Sequence, residues 1–155
     1  MDKDINNPKE SNFEINSSIE KEYFHLQKIV DDFDAKSLTI KAWSVSLSVT
    51  IAGSSALISK PQLLLFAAIT SLMFWLIDTS WKVFQYANYR RINEIEEYIK
   101  ERKDNIDALQ IGTSWFNSYN KGGYRRFLKI MCWHHVFLPH GAMMILFLCS
   151  YLIMK

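Results

Sequence analysis

Serine hydroxyls repeat along one face of an apolar stretch, residues 42–59, and are the first candidates for a chemical role. On a helix with about 100° per residue, Ser44, Ser48 and Ser55 fall within one narrow arc. A row of hydroxyls can line water, so this pattern predicts a pore-lining face. The alternative is that the face only packs against a neighbouring helix, because small residues are common at helix contacts in membranes.

One carboxylate, that of Asp78, ends the next apolar stretch, residues 61–78. An acid within a membrane segment is costly, which makes it a candidate for binding a cation or for pairing with a basic side chain inside a helical bundle. The other interpretation is a solvated acid just outside the hydrocarbon. Both interpretations of this membrane-boundary acid follow from the sequence.

Basic residues interleaved with aromatic residues form the third candidate site. Cationic side chains pair with phosphates while aromatic rings stack on bases, so the pattern predicts binding of a nucleotide or oligonucleotide. Binding of anionic lipid headgroups is the alternative interpretation. The candidate residues for this anionic ligand are Arg90, Arg91, Lys121, Arg125 and Arg126.

Neither a catalytic site nor a metal site is predicted. The chain contains no GxGxxG, Walker A, GxSxG, HExxH or CxxC pattern. Cys132 and the three histidines His134, His135 and His140 are near in sequence, but no two of these histidines are three or four positions apart. Cys132 and His135 alone are too few ligands for structural zinc. We therefore expect no enzyme, no metal and no cofactor, and an intramembrane metalloenzyme is the least supported class.

Apolar stretches of membrane-spanning length must position these side chains. Residues 42–59, 61–77 and 130–154 contain no Asp, Glu, Lys or Arg, and a helix of roughly 17–25 residues crosses a bilayer core. The predicted fold is an all-α membrane protein with three transmembrane helices. Two of them form a hairpin, with spans at about 42–59 and 61–78, and the third span ends the chain.

The basic residues predict the orientation of these spans. All but Lys60 and Lys155 of the 18 lysines and arginines fall on the side of the N-terminus. Because cytoplasmic segments carry an excess of Lys and Arg, we expect a cytoplasmic N-terminus and an external C-terminus.

Five segments are predicted along the chain. A capping box at Ser17 and Glu20 predicts the start of an amphipathic helix. The helical pattern after residue 82 continues to about Gln110, where Gly112 is expected to break it, and Gly122 and Gly123 predict a hinge. The cytoplasmic parts are too small for an independent domain, so we expect a homo-oligomer. The segments are a flexible lead at 1–16, a cytoplasmic helix at 17–36, the transmembrane hairpin at 37–81, a cytoplasmic helical segment at 82–129 and the third span at 130–155.

The hairpin region, residues 40–99, resembles a type of small bacterial membrane protein. In that type a Lys-(Ala/Thr)-Trp-Ser start precedes the first span and Phe-Trp-Leu-x-Asp ends the second. The residues that match this pattern are Lys41, Trp43, Ser44, Phe74, Trp75, Leu76 and Asp78. The architecture also resembles SLATT-like membrane effectors of antiphage defence, including those paired with nucleotidyltransferases in Hailong-type systems.

The resemblance implies an oligomeric ion channel that lies in the bacterial inner membrane and disrupts the host membrane during abortive infection. It also implies control by a nucleotide or oligonucleotide made by a partner nucleotidyltransferase. The leading hypothesis is therefore a nucleotide-regulated channel effector in the lipid bilayer, with the basic residues in a cytoplasmic vestibule. The alternative is a non-conducting membrane anchor, scaffold or toxin-immunity protein.

Overall fold

The computed structural model describes residues 8–101 and 106–155 and contains four α-helices and no strand within them. The predicted all-α class is confirmed. The helices are α1 (Pro8–Leu57), α2 (Gln62–Glu101), α3 (Ile111–Met131) and α4 (His134–Met154).

The described residues form two compact units. The first contains the residues up to Asp32 together with Gln85–Lys121, and the second contains Phe33–Phe84 with Gly122–Lys155. Each unit has its own apolar core. In the first unit, buried side chains of α1 at positions 19, 26 and 30 pack against positions 92 and 95 of α2. In the second, positions 64, 67 and 68 of α2 pack against Phe147 of α4.

Helix α1 joins two segments that the sequence pattern treats as separate. It runs from Pro8 to Leu57, so the predicted cytoplasmic helix and the first predicted span are one continuous helix. The predicted start at Ser17 is wrong, since this residue lies inside α1. A proline suits the first turn of a helix because the amide hydrogen that it lacks has no helical partner there. Residues 1–7 of the predicted lead lie outside the described residues.

The turn between α1 and α2 is where the sequence predicts it. Helix α1 ends at Leu57, Ser59 has a φ of 52°, and α2 begins at Gln62. The far end of α2 is different, because the helix ends at Glu101 within the described residues and not near Gln110. Residues 106–110 are not helical.

Side-chain contacts explain why residues 106–110 leave the helical path. The carboxylate of Glu22 accepts a hydrogen bond from the backbone nitrogen of Leu109, at 2.7 Å. The guanidinium of Arg91 donates to the carbonyl oxygen of Asp107, at 2.6 Å. These two bonds replace helical hydrogen bonds, and Leu109 adopts a φ of 62°.

The predicted glycine hinge is confirmed. Gly123 interrupts α3 with a φ of 49° and a ψ of −161°, values that are open almost only to glycine. Gly112, expected to break a helix, lies in the first turn of α3. Cys132 and Trp133 separate α3 from α4, so the third predicted span begins at His134 and not at residue 130.

Two helices, α2 and α4, are long and apolar enough to cross a membrane. Only 22% of the apolar stretch of α4 is buried inside the protein, unlike the core helix of a soluble domain. The first predicted span, in α1, is not among these candidates, because its serine hydroxyls make it less apolar than the other two.

Candidate functional site

Five polar side chains converge in the second unit, and we call them the polar cluster. Ser37, Lys41 and Ser44 come from α1, Asp78 from α2 and His140 from α4. The three α1 residues are spaced four and three positions apart, so the helix presents them on one face. All except Lys41 are at most 1% exposed.

The carboxylate of Asp78 is the centre of the polar cluster. One oxygen, Oδ1, accepts a hydrogen bond from the hydroxyl of Ser37 at 2.5 Å. The other, Oδ2, lies 3.0 Å from the ammonium of Lys41. The same ammonium donates to the Ser37 hydroxyl at 2.6 Å. Of the two interpretations of Asp78, the contacts favour pairing with a basic side chain, because the side chain is buried and charge-paired.

His140 extends the polar cluster to α4. Its Nδ1 lies 2.8 Å from the Ser44 hydroxyl, and its Nε2 lies 3.4 Å from Oδ2 of Asp78. In a neutral imidazole one ring nitrogen donates a hydrogen bond and the other accepts one. If the Ser44 hydroxyl donates to Nδ1, the ring hydrogen is on Nε2 and points toward the Asp78 carboxylate. The polar cluster thus connects α1, α2 and α4.

Beyond the polar cluster, the hydroxyls of α1 continue as a row that we call the serine face, Ser44, Ser48 and Ser55. All three are at most 1% exposed. Ser48 accepts a hydrogen bond from the hydroxyl of Ser71 in α2, at 2.9 Å. The hydroxyl of Ser55 is buried and has no hydrogen-bond partner among the described residues. The serine face therefore lies against α2 and α4 of its own chain, and a pore lined by it stays a prediction.

A second set of small residues lies on the exposed side of α1. Ser46, Thr50 and Gly53 are exposed, and the Thr50 hydroxyl donates to the carbonyl oxygen of Ser46 at 2.7 Å. A methyl group added at Gly53 would meet no atom within 4 Å. This side of α1 is uncharged and leaves room for the close approach of another helix.

The five basic candidates do not form one described site, because they are divided between the two units. Arg91 is buried in the first unit, bound to Glu22 at 2.8 and 3.1 Å. Arg90 pairs with Glu94 at 2.8 Å. Lys121 belongs to the same unit and is exposed. In the second unit Arg125 is exposed and Arg126 is half-buried.

Glu22 is a residue that the sequence analysis missed. Burial raises the pKa of its carboxyl, but the hydrogen bonds from Arg91 and from the Leu109 backbone outweigh this effect, so the pKa lies below its ordinary value. A signal was present in the sequence. Glu22 follows Ile19 by three positions and precedes Leu26 by four, so it lies on the apolar face of α1.

Metal-ligating side chains do not cluster in the part of the chain that the structure describes. His134 and His135 are exposed, whereas His140 is buried in the polar cluster. Cys132 and Cys149 are free and exposed.

Comparisons with family models, with curated proteins and with solved structures found no match to this chain. The features that bear on function are therefore the polar cluster and the serine face. A carboxylate, an ammonium and an imidazole in contact can exchange protons or hold three helices together by charge. Hydroxyls in a row can solvate an ion once water enters.

Proposed function

We propose that this protein is a homo-oligomeric, three-span membrane channel whose conduction path follows the serine face and is closed by the polar cluster. The observation that carries the proposal is the buried carboxylate of Asp78, which contacts both the half-buried Lys41 and the buried His140. The helices that bring them together include the two that are apolar enough to cross a membrane. Ionisable residues at such positions are costly and mark ion pathways.

The contacts support a closed state. Hydrogen bonds of Asp78 and His140 hold α2 and α4 against α1, and the serine face is covered as a result. Loosening these bonds would let water reach Ser44, Ser48 and Ser55. The serine face then becomes the lining of the path.

The crossing by α1, which is the first predicted span, and the assembly of copies belong to the same proposal. Residues 42–57 of α1 carry no charge, and a short turn connects them to the apolar start of α2. If α2 crosses the membrane from this turn, α1 crosses it as well. We place the contact between copies on the exposed side of α1 at Ser46, Thr50 and Gly53, because small residues let helices approach closely in a bilayer. The orientation follows from the basic residues, with a cytoplasmic N-terminus in the bacterial inner membrane.

The biological role in this proposal comes from the resemblance of residues 40–99. It is that of a membrane-disrupting effector of antiphage defence, regulated by a nucleotide or oligonucleotide from a partner nucleotidyltransferase. Arg91 is bound within its own unit and contributes no support for a nucleotide site. Phage challenge of cells that express the chain with its neighbouring genes, scored by membrane depolarisation, tests this role.

Ion flux from proteoliposomes tests the proposed path. We expect little flux from the native protein and at least tenfold more from Asp78→Asn, because asparagine has no charge to hold Lys41. Adding Ser48→Leu and Ser55→Leu to this variant should abolish the gained flux by filling the path with apolar side chains.

The matched control adds Thr70→Leu and Ser150→Leu to Asp78→Asn, because these two half-buried hydroxyls bond only to carbonyl oxygens of their own helices and lie outside both the serine face and the proposed contact between copies. It should keep the flux, and size-exclusion chromatography of each variant verifies assembly. Equal flux from the two triple variants would show that the serine face is not the path.

A non-conducting anchor or scaffold is the second candidate. It is favoured by large apolar side chains exposed on the first unit, Phe24 at 62% and Ile99 at 63%. In that case Asp78→Asn should lower thermal stability and leave flux at the level of empty vesicles.

A further inference from the structure

The part of α3 that follows the glycine kink has a surface unlike the rest of the second unit. We call residues 124–131 the α3 limb. The backbone of Gly123 breaks the helix before it. Tyr124 is 73% exposed and Leu128 is 41% exposed, and Arg125 and Lys129 are exposed beside them. Apolar and cationic side chains therefore share one open surface.

The spacing arranges these side chains in two adjoining rows. Tyr124 and Leu128 are four positions apart, as are Arg125 and Lys129, so each pair lies along one row. The rows are about 100° apart on the helix. A helix with apolar and basic rows side by side is typical of the headgroup region of a membrane, where apolar groups enter the acyl chains and cations stay with the phosphates.

The position of the α3 limb fits this environment. Only Cys132 and Trp133 separate it from α4, which is apolar enough to cross a membrane. Its last residue, Met131, accepts a hydrogen bond at its carbonyl oxygen from the indole of Trp75 in α2, at 3.1 Å. The limb is thus attached to two helices of membrane-spanning length, next to tryptophans of the kind found at membrane interfaces.

The sequence of the α3 limb is basic. It contains Arg125, Arg126 and Lys129, whereas Asp107 is the last acidic residue of the sequence. The limb itself and α4 after it therefore contribute no acidic side chain. A surface that carries phosphates complements the limb.

We propose that the α3 limb is a docking surface for anionic phospholipid headgroups at the start of α4. Arg125 and Lys129 bind the phosphate oxygens, and Tyr124 and Leu128 enter the adjacent acyl region. Arg125 thereby binds lipid and not a free nucleotide. This proposal depends on α4 lying in a bilayer and does not depend on conduction.

Native mass spectrometry of the full chain, released from mixed micelles of phosphatidylglycerol and phosphatidylcholine, tests the proposal. We expect the native protein to retain phosphatidylglycerol selectively. The double variant Arg125→Gln with Lys129→Gln should lose at least fivefold of the retained phosphatidylglycerol. Phosphatidylcholine retention should not change.

Two further variants make the test specific. Lys60→Gln with Lys155→Gln removes the same charge elsewhere in the second unit and should retain phosphatidylglycerol like the native protein. Tyr124→Ala with Leu128→Ala keeps the charge and should still reduce retention, because lipid binding uses the apolar row. Circular dichroism verifies the helical content of each variant.

Two results would overturn the proposal. One is equal retention of phosphatidylglycerol by the native protein and by the Arg125 and Lys129 double variant. The other is binding of ATP to the native protein without lipid that the same double variant abolishes while lipid retention persists. The second result would assign these cations to a free nucleotide.

Discussion

The buried ion pair between Glu22 and Arg91 is the clearest contribution of individual side chains to the stability of the fold outside the polar cluster. Both side chains are at most 5% exposed and are joined by two hydrogen bonds. Removing one partner of such a buried pair leaves the other uncompensated, which costs about 3–5 kcal/mol. We expect Glu22→Gln to lower the free energy of unfolding of the first unit by about this amount, measured by denaturant unfolding in detergent.

Glu20→Gln is the control for this prediction, since Glu20 lies two positions away on another face of α1 and is exposed. Because the pKa of Glu22 is lowered in the folded protein, its carboxylate stabilises the fold above the ordinary pKa of a glutamate. That contribution is lost as the pH falls through the lowered value. The difference between native protein and Glu22→Gln should therefore shrink under acid conditions, and a constant difference would contradict the assignment.

Residue types in the sequence predict faces better than they predict partners. The period of Ser44, Ser48 and Ser55 correctly places them on one side of α1. Nothing in the sequence shows that His140, almost a hundred positions away, lies against Ser44, because that contact depends on how α4 packs. For the same reason, the sequence does not decide whether Asp78 pairs with a basic side chain or is solvated.

At the scale of elements, a glycine marks a break in a helix only where the backbone adopts a conformation that other residues disfavour. Gly123 has a φ of 49°, whereas Gly112 is helical and has open space around its missing side chain. The sequence pattern treats both as breaks. Side-chain bonds to the backbone of residues 107 and 109 accompany the non-helical path of residues 106–110, and such bonds leave no periodic signal.

The two glycines of α3 are a matched pair for a stability test. Gly123→Ala forces a side chain into a conformation that costs of order 1–3 kcal/mol. Gly112→Ala should stabilise the helix by up to about 1 kcal/mol, because alanine restricts the unfolded chain. Thermal unfolding followed by circular dichroism should rank Gly112→Ala above the native protein and Gly123→Ala below it. The reverse order would show that the kink is absent in solution.

At the scale of the whole molecule, uncharged stretches of sequence predict the helices and the turn between α1 and α2. They predict less about membrane crossing, because the hydroxyls that give α1 its candidate function also make it the least apolar of the three predicted spans. Subunit contacts leave no periodic signal in one chain. The channel proposal therefore depends on the polar cluster.

Single-channel recording in a planar bilayer tests the channel and its closure by the polar cluster most directly. Purified Asp78→Asn protein should produce discrete current steps, and the native protein at the same density should be largely silent. The proposal predicts that the current steps of the Asp78→Asn protein disappear when Ser48→Leu and Ser55→Leu are added. A silent bilayer with assembled Asp78→Asn protein, verified by recovery of the protein from the membrane, would contradict it.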